Sequence, residues 1–261
     1  VVVGRDGERN ERVIAELAAS TGNPSITQIA ADMGDLEQVR HLAERVLAAH
    51  DRLDVLIHNA GALDPERRVA PGGTEATVAS QVVGPFLLTR LLLDRLAASA
   101  PARVLTMSSG GMYATGLKVS ELEMAPEDYN GAEQYARAKR AQVTLNEMWA
   151  DRFGDLGVTF HALHPGWADT PGVDAGLPTF AKVMGPFLRT PEQGADTLVW
   201  LAADDTALAS NGRFWLDRAP RPIHKLPTTK GTDTAERRNR LWDWVAATAD
   251  ASCSAPGWWR W

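Results

Sequence analysis

A tyrosine and a lysine four positions apart are the residues of this chain best suited to acid–base chemistry. Tyr135 and Lys139 lie in a stretch whose pattern predicts a helix, and their spacing places both side chains on one helical face. A neighbouring ammonium favours a phenolate, so we expect Lys139 to lower the pKa of Tyr135 from its usual value of about 10. Such a phenol can exchange a proton with an alcohol oxygen while a hydride moves at carbon. The same spacing occurs in many solvated helices, so the pair needs support from its neighbours.

Further residues that could contact a ligand follow the ends of apolar runs. Ser109 follows one such run, where its hydroxyl could bind a substrate oxygen or simply form a turn. Small residues after another run would let a ligand approach the backbone. Ligands of open parallel sheets bind at the carboxyl ends of the strands, so we predict that these residues share one site. They are Asp32, Met33, Asn59, Ala60, Gly61, Ser109, Pro165, Gly166 and Thr170.

The elements that must position these residues alternate between apolar runs and amphipathic stretches. This alternation predicts an α/β fold, a doubly wound parallel sheet with helices on both faces. We predict one domain over residues 1–217 and a tail over residues 218–261 with one helix, which packs on the domain, covers the substrate or contacts a second copy in a homo-oligomer. The predicted strands are Val1–Gly4, Ile26–Ala30, Val55–Ile57, Arg103–Met107, Val158–Leu163 and Gly212–Leu216. The predicted helices are Glu8–Ser20, Leu36–Ala49, one within Thr74–Ala98, Ala132–Phe153, Pro191–Ala202 and one that starts at Asp233.

The composition excludes several classes of function. A net charge of -6 without a basic cluster argues against nucleic-acid binding. Cys253 is the only cysteine, which excludes an internal disulfide and a cysteine-based zinc site, and we expect a cytoplasmic location. We expect no membrane span, because Arg90 and Asp94 interrupt the best apolar stretch, and no signal peptide. His161 and His164 lack ligand partners at metal spacing, so we interpret them as structural and expect no metal.

Together the motifs resemble the short-chain dehydrogenase/reductase family over residues 1–217, and within it the branch called SDR family member 12. The branch is indicated by the runs 108–113, 135–142, 164–172, 193–196 and 212–218. The resemblance implies a Rossmann-type fold and an oxidoreductase that interconverts an alcohol and a ketone or aldehyde with a nicotinamide cofactor. It implies that Ser109 orients the carbonyl, that Tyr135 is the general acid and base, and that Lys139 binds the nicotinamide ribose.

The resemblance also implies how the cofactor is held. Arg5 follows the first predicted strand, and its guanidinium suits a phosphate, whereas an acidic residue there would bind a free ribose hydroxyl. NADP(H) is therefore expected over NAD(H). The adenosine side of the cofactor is assigned to Asp32, Met33, Asn59, Ala60 and Gly61, and the nicotinamide end to Pro165, Gly166 and Thr170.

Two features depart from the family pattern. Family members open with a strand and a glycine-rich turn that holds the pyrophosphate, whereas Val1–Gly4 matches their second strand. We therefore expect the chain to lack the first βα unit, to be a fragment, and to be unstable or inactive alone, with two unpaired strand edges. Gln81 stands where the family has a catalytic asparagine, and its longer side chain would shift or slow the proton relay.

Alternatives to this enzyme remain open at the level of sequence. One is a non-catalytic or degenerate Rossmann module, which the absent loop and Gln81 favour and the intact Ser-Tyr-Lys set opposes. A weaker one is an epimerase or dehydratase of the extended branch. The stretch 167–188 is strongly apolar, which predicts either a lid over a hydrophobic carbonyl substrate or simple packing.

Overall fold

The strands form two sheets in the computed structural model, which describes residues 1–167 and 188–251. The first sheet pairs β1 and β2 in parallel, and the second has the order β3-β4-β5-β6-β7, in which only the β6–β7 pair is antiparallel. The prediction of a mostly parallel sheet in an α/β fold is confirmed, with an antiparallel edge that it did not include. The strands are β1 (Val2–Gly4), β2 (Gln28–Ala30), β3 (Val55–His58), β4 (Ala102–Met107), β5 (Val158–Leu163), β6 (Phe214–Leu216) and β7 (Ala219–Arg221).

The helices begin where the sequence provides caps for their free amides. Asp6 and Asp35 accept hydrogen bonds from the first turns of two helices, and Thr190 forms a capping box with Gln193 at another. The predicted helices lie within two residues of the observed ones at nearly every end. They are α1 (Gly7–Thr21), α2 (Leu36–Ala49), α3 (Ala76–Ala98, with a π-helical turn at Ala79–Val83), α4 (Gly131–Phe153), α5 (Pro191–Ala203), α6 (Pro227–Gly231) and α7 (Ala235–Ala251).

The sheet is interrupted between β1 and β3. β1 pairs with β2 and β3 with β4, and among the described residues neither has a partner on its other side. Val3 and Ile57, on these two edges, are 38% and 42% exposed, although apolar side chains of central strands are normally buried. This gap lies where the family resemblance described above implies a further strand.

Helix α3 is the apolar centre of the molecule. Its length and composition would allow it to cross a membrane, but 72% of its most apolar window is buried inside the fold. It passes so close to the backbone of Met33 that a Cβ at Gly84 would lie 2.0 Å from the Met33 carbonyl oxygen. Only glycine fits this crossing.

The tail holds more structure than the one predicted helix. The sheet continues past residue 217 into β7, and α6 precedes the long helix α7. α7 packs on α3 and α4, where Leu241 and Val245 are fully buried. The Trp242 ring lies 4.9 Å from that of Phe86 and 4.8 Å from that of Trp149, measured between centroids. The tail helix therefore covers the outer side of the core, whereas Cys253 lies outside the described residues.

Candidate active site

The carboxyl end of β4 and the first half of α4 bring the serine, tyrosine and lysine together. Ser109 follows β4 and caps a 3-10 turn, where its Oγ accepts a hydrogen bond from the Gly111 amide at 3.1 Å. The Ser109 hydroxyl lies close enough to the Tyr135 phenol to lower its pKa. The Lys139 Nζ lies 5.2 Å from the centroid of the Tyr135 ring and donates to the Met107 carbonyl at 2.9 Å. The three side chains thus meet at one end of the sheet.

Burial controls the charges of this group. Burial raises the pKa of the Tyr135 phenol, and the Ser109 hydroxyl only partly opposes this rise. Lys139 is 2% exposed, and burial lowers its pKa to about 7. The expectation that Lys139 lowers the pKa of Tyr135 is therefore wrong for the free protein. Charging a buried amine is unfavourable because the charge loses its solvation. Lys139 therefore does not act as a permanent cation beside the Tyr135 phenol.

Gln81 lies beside Lys139 and is itself almost fully buried. Its Nε2 donates to the Ala62 carbonyl at 2.7 Å, while its Oε1 has no hydrogen-bond partner within the described residues. A Cβ built on Gly61 would lie 3.1 Å from Gln81 Oε1 and 3.3 Å from Lys139 Nζ. Because Gly61 has no side chain, a small space remains there, next to both Gln81 Oε1 and the Lys139 amine.

A cleft of about 390 Å³ runs from this point to the ends of β1 and β2. At its far end Arg5 Nη1 lies 3.9 Å from the Asp32 carboxylate, whose other oxygen accepts from the Gly34 amide at 2.8 Å. The structure therefore gathers most of the residues predicted to hold the adenosine side. Arg5, Asp32, Met33, Ala60, Gly61 and Gln81 line the cleft, whereas Asn59 is exposed at the end of β3 and is not among the lining residues.

Pro165 and Gly166 follow β5 and are held by an ion pair that sequence analysis missed. Arg189 donates to the Pro165 carbonyl and pairs with Asp217 at 2.6 and 3.0 Å. Gly166 has φ +78°, and a Cβ there would lie 2.7 Å from the Arg189 guanidinium, so this position requires glycine. Neither residue lines the 390 Å³ cleft. Thr170 and positions 168–187 of the predicted lid lie outside the described residues.

Arg140 is a second residue that sequence analysis missed. It is completely buried and donates to three main-chain carbonyls, those of Met112 and Thr115 after Ser109 and that of Ile223 in the tail. Arg140, the residue after Lys139, therefore connects the segment that follows Ser109 to the C-terminal tail by hydrogen bonds. Its carbonyl partners lie far away in sequence, so no local spacing indicates them.

Three histidines, His58, His161 and His164, are buried in the fold. His161 Nε2 lies 2.9 Å from the Ala207 carbonyl, and the His58 Nε2 lies 2.7 Å from the Thr89 hydroxyl. Burial lowers the pKa of His58 to about 4, and that of His164 also to about 4, so both are neutral at physiological pH. Across residues 1–167 and 188–251 no group of three or more His, Cys, Asp or Glu side chains could hold a metal ion.

Comparisons with known proteins agree with this geometry. The sequence model of a family described as "Enoyl-(Acyl carrier protein) reductase" matches residues 1–213. Human dehydrogenase/reductase SDR family member 12 is 37% identical over 92% of this chain and 75% of its own length. Bovine retinol dehydrogenase 12 is 32% identical over 92% of this chain and 74% of its own length. The predicted resemblance to the family and to its member 12 branch is confirmed.

Solved structures show the same fold. A short chain dehydrogenase from Burkholderia cenocepacia in complex with NADP superposes with a TM-score of 0.62 at 22% identity, over 80% of each chain. The short chain dehydrogenase from Shigella flexneri gives a TM-score of 0.65 at 22% identity, over 84% of this chain and 82% of its own. With its site, its fold and its relatives in agreement, the chain belongs to the short-chain dehydrogenase/reductase family.

Proposed function

We propose that Tyr135 is the general acid and base in the interconversion of an alcohol and a ketone or aldehyde, the reaction type of this family of NAD(P)-dependent oxidoreductases. The observation that carries the proposal is the meeting of Ser109, Tyr135 and Lys139 at one end of the sheet, where Lys139 lies against Gly61 in the lining of a 390 Å³ cleft. Ser109 orients the substrate oxygen, and the Tyr135 hydroxyl donates a proton to it in reduction or accepts one in oxidation. When bound, the cofactor supplies or takes up the hydride at the substrate carbon. The alternative of a non-catalytic module has no support among the relatives named above, all of which are dehydrogenases or reductases by name.

The raised pKa of Tyr135 fits this role in the reducing direction. Burial keeps the phenol protonated at neutral pH, so it is ready to donate. Lys139, with its pKa lowered to about 7, can pass a proton on towards solvent near physiological pH. Its position against Gly61 lets it bind a hydroxyl of the cofactor ribose at the inner end of the cleft.

The residues of the cleft fit a dinucleotide whose adenosine end carries a phosphate. Arg5 is exposed at the mouth of the cleft, where its guanidinium makes a long contact of 3.9 Å with Asp32. Its guanidinium is therefore available to a 2′-phosphate, which supports NADP(H) over NAD(H). Asp32 and Met33 line the wall expected to contact the adenine, and Pro165, Gly166 and Thr170 remain our assignment for the nicotinamide end.

We propose a hydrophobic carbonyl compound as the substrate. One relative is named as a dehydrogenase of retinol, an apolar alcohol, and the stretch 167–188 is rich in apolar residues. Purified protein from the full-length gene should therefore show kcat/KM that rises with chain length in a series of aldehydes of equal reactivity, about tenfold per 1.4 kcal/mol of added burial. A flat profile, or a preference for polyols or acids, would contradict this substrate class. The single cysteine supports a cytoplasmic site of action, and a homo-oligomer stays part of the proposal.

The experiment that tests the function removes the phenolic hydroxyl alone. Tyr135→Phe should abolish nearly all NADPH-dependent carbonyl reduction, while the dissociation constant of NADPH stays within about threefold, because only the proton donor is deleted. Tyr129→Phe is the matched control, since this tyrosine lies outside the group of three and its hydroxyl contacts the Asp64 carbonyl and Glu75. Substantial turnover in Tyr135→Phe would show that another group handles the proton.

A further inference from the structure

Helix α3 contains a main-chain carbonyl that lacks its usual α-helical partner. Pro85 has no amide hydrogen, so the carbonyl of Gln81, four residues earlier, loses its usual helical partner. The helix responds with the π-helical turn Ala79–Val83, in which the Gly84 amide donates to the Ala79 carbonyl. A buried carbonyl without a partner is costly, so a donor from elsewhere in the fold would stabilise the Gln81 carbonyl.

The donor is Gln142 on the neighbouring helix α4. Its Nε2 donates to the Gln81 carbonyl at 2.6 Å, and the residue is 5% exposed. Gln142 comes three residues after Lys139 and seven after Tyr135, so all three lie on one face of α4. The helix that carries the tyrosine and lysine thus also holds the π-helical turn of α3.

The side chain of the same Gln81 lies near Lys139, across the open space at Gly61. Its Nε2 is fixed to the Ala62 carbonyl, and its unpartnered Oε1 lies against the same point at Gly61 as the Lys139 amine. The position of this oxygen depends on two anchors, the main chain of Gln81 and the bond of its Nε2 to the Ala62 carbonyl. A shift of the Gln81 carbonyl would therefore move Oε1 relative to the amine.

We propose that Gln142 is a positioning residue, which holds the Gln81 carbonyl and so keeps the Gln81 side chain in place beside Gly61 and Lys139. The proposal rests on the proposed function, in which Lys139 passes protons. It assigns to Gln142 no contact with substrate or cofactor. Gln142 acts only through the main chain of Gln81.

Asn146 provides a matched control on the same helix face. It lies one turn after Gln142, is 5% exposed, and lines the same cavity of about 30 Å³ between α3, α4 and the sheet. Its Nδ2 has no hydrogen-bond partner within the described residues, and its side chain makes no hydrogen bond with Gln81 there. Asn146→Leu therefore removes a buried amide of similar surroundings without touching the π-helical turn.

The test compares Gln142→Met with Asn146→Leu in the protein from the full-length gene. Gln142→Met keeps the volume but removes the N–H donor. We expect it to lower kcat at neutral pH about tenfold with KM little changed, and to shift the pH profile of kcat, since a displaced relay partner costs less than a deleted one. Asn146→Leu removes an amide whose nitrogen is already unpartnered, so it should leave the pH profile at that of the wild type.

A second readout does not depend on activity. The titration of the Lys139 amine, followed by NMR on isotope-labelled lysine in the free protein, should move to lower pH in Gln142→Met, because the partial negative charge of Gln81 Oε1 has moved away from the ammonium. In a Gln81→Leu background, Gln142→Met should add no further change in either titration or kcat.

These outcomes distinguish the proposed function from the proposed role of Gln142. If the wild type reduces no carbonyl compound, the proposed function fails, and the lysine titration alone decides the role of Gln142. If Gln142→Met lowers only the melting temperature, or if Asn146→Leu shifts the titration equally, Gln142 is merely structural and the proposal is overturned.

Discussion

Lys139 carries its amine in an enclosed position between β4 and α4, where it bonds to the Met107 carbonyl. Its pKa of about 7 lies far below the value of an exposed lysine. The unfolded chain therefore binds more protons than the folded one between about pH 7 and pH 10.5, and stability should rise with pH through that window. Below about pH 7 the amine is charged in both states and its full desolvation cost opposes folding.

Replacement of this amine should accordingly stabilise the fold while it destroys the reaction. Lys139→Met should raise the free energy of unfolding by about 2–4 kcal/mol near pH 6, at about 1.4 kcal/mol per pKa unit and less the lost hydrogen bond. The gain should shrink as the pH approaches 10. Urea unfolding across this pH range measures it, with the exposed Lys230→Met as a control that should change little. An equal gain at all pH values would contradict the pKa argument.

Arg5 is the residue on which cofactor choice depends. Arg5→Asp should reverse the preference for NADPH over NADH, changing the ratio of the two dissociation constants by about tenfold to a hundredfold, the worth of one charge-assisted hydrogen bond. Calorimetric titration with both cofactors measures the ratio. Arg9→Asp makes the same charge change on the exposed first turn of α1, outside the cleft lining, and should leave the preference in place. Equal affinities in the wild type would remove the basis for the assignment.

At the scale of elements, the helices and strands were predictable because their signals are local. Apolar periodicity and caps such as Asp35 and Thr190 set the ends of helices to within a few residues. The contacts of Arg140 and Arg189 were not predictable, since each joins segments far apart in sequence. The direction of the Tyr135 pKa shift was predicted wrongly because burial, which dominates it, cannot be read from a spacing.

Helix α7 should contribute strongly to stability through one side chain. Leu241 is fully buried against α3 and α4, so Leu241→Ala should lower the free energy of unfolding by about 2–5 kcal/mol. Leu17→Ala is the same change on the exposed side of α1 and should cost far less. Chemical denaturation of both variants measures the difference. Similar losses in the two variants would mean that α7 is only loosely packed in solution.

At the scale of the whole molecule, the gap between β1 and β3 is the feature that most affects stability and association. Within residues 1–167 and 188–251, both strand edges at this gap lack a partner and the apolar Val3 and Ile57 are exposed. Such edges favour association with other chains. We predict that residues 1–261 alone aggregate or melt at low temperature and bind NADPH weakly. Light scattering and thermal melts with and without NADPH measure this. A cooperative melt that rises with NADPH concentration would contradict it.

The packing of α7 also has a consequence for synthesis on the ribosome. α7 is translated after every other described element, yet it covers Phe86 and Trp149 on the two helices nearest the reactive group. A nascent chain without it would expose this aromatic surface to chaperones, as unfinished domains do. Ser109, Tyr135 and Lys139 would then be synthesised before the helix that packs on the elements around them. A ribosome stalled before residue 235 should therefore carry a chain that contains every proposed catalytic residue, yet is protease-sensitive and inactive.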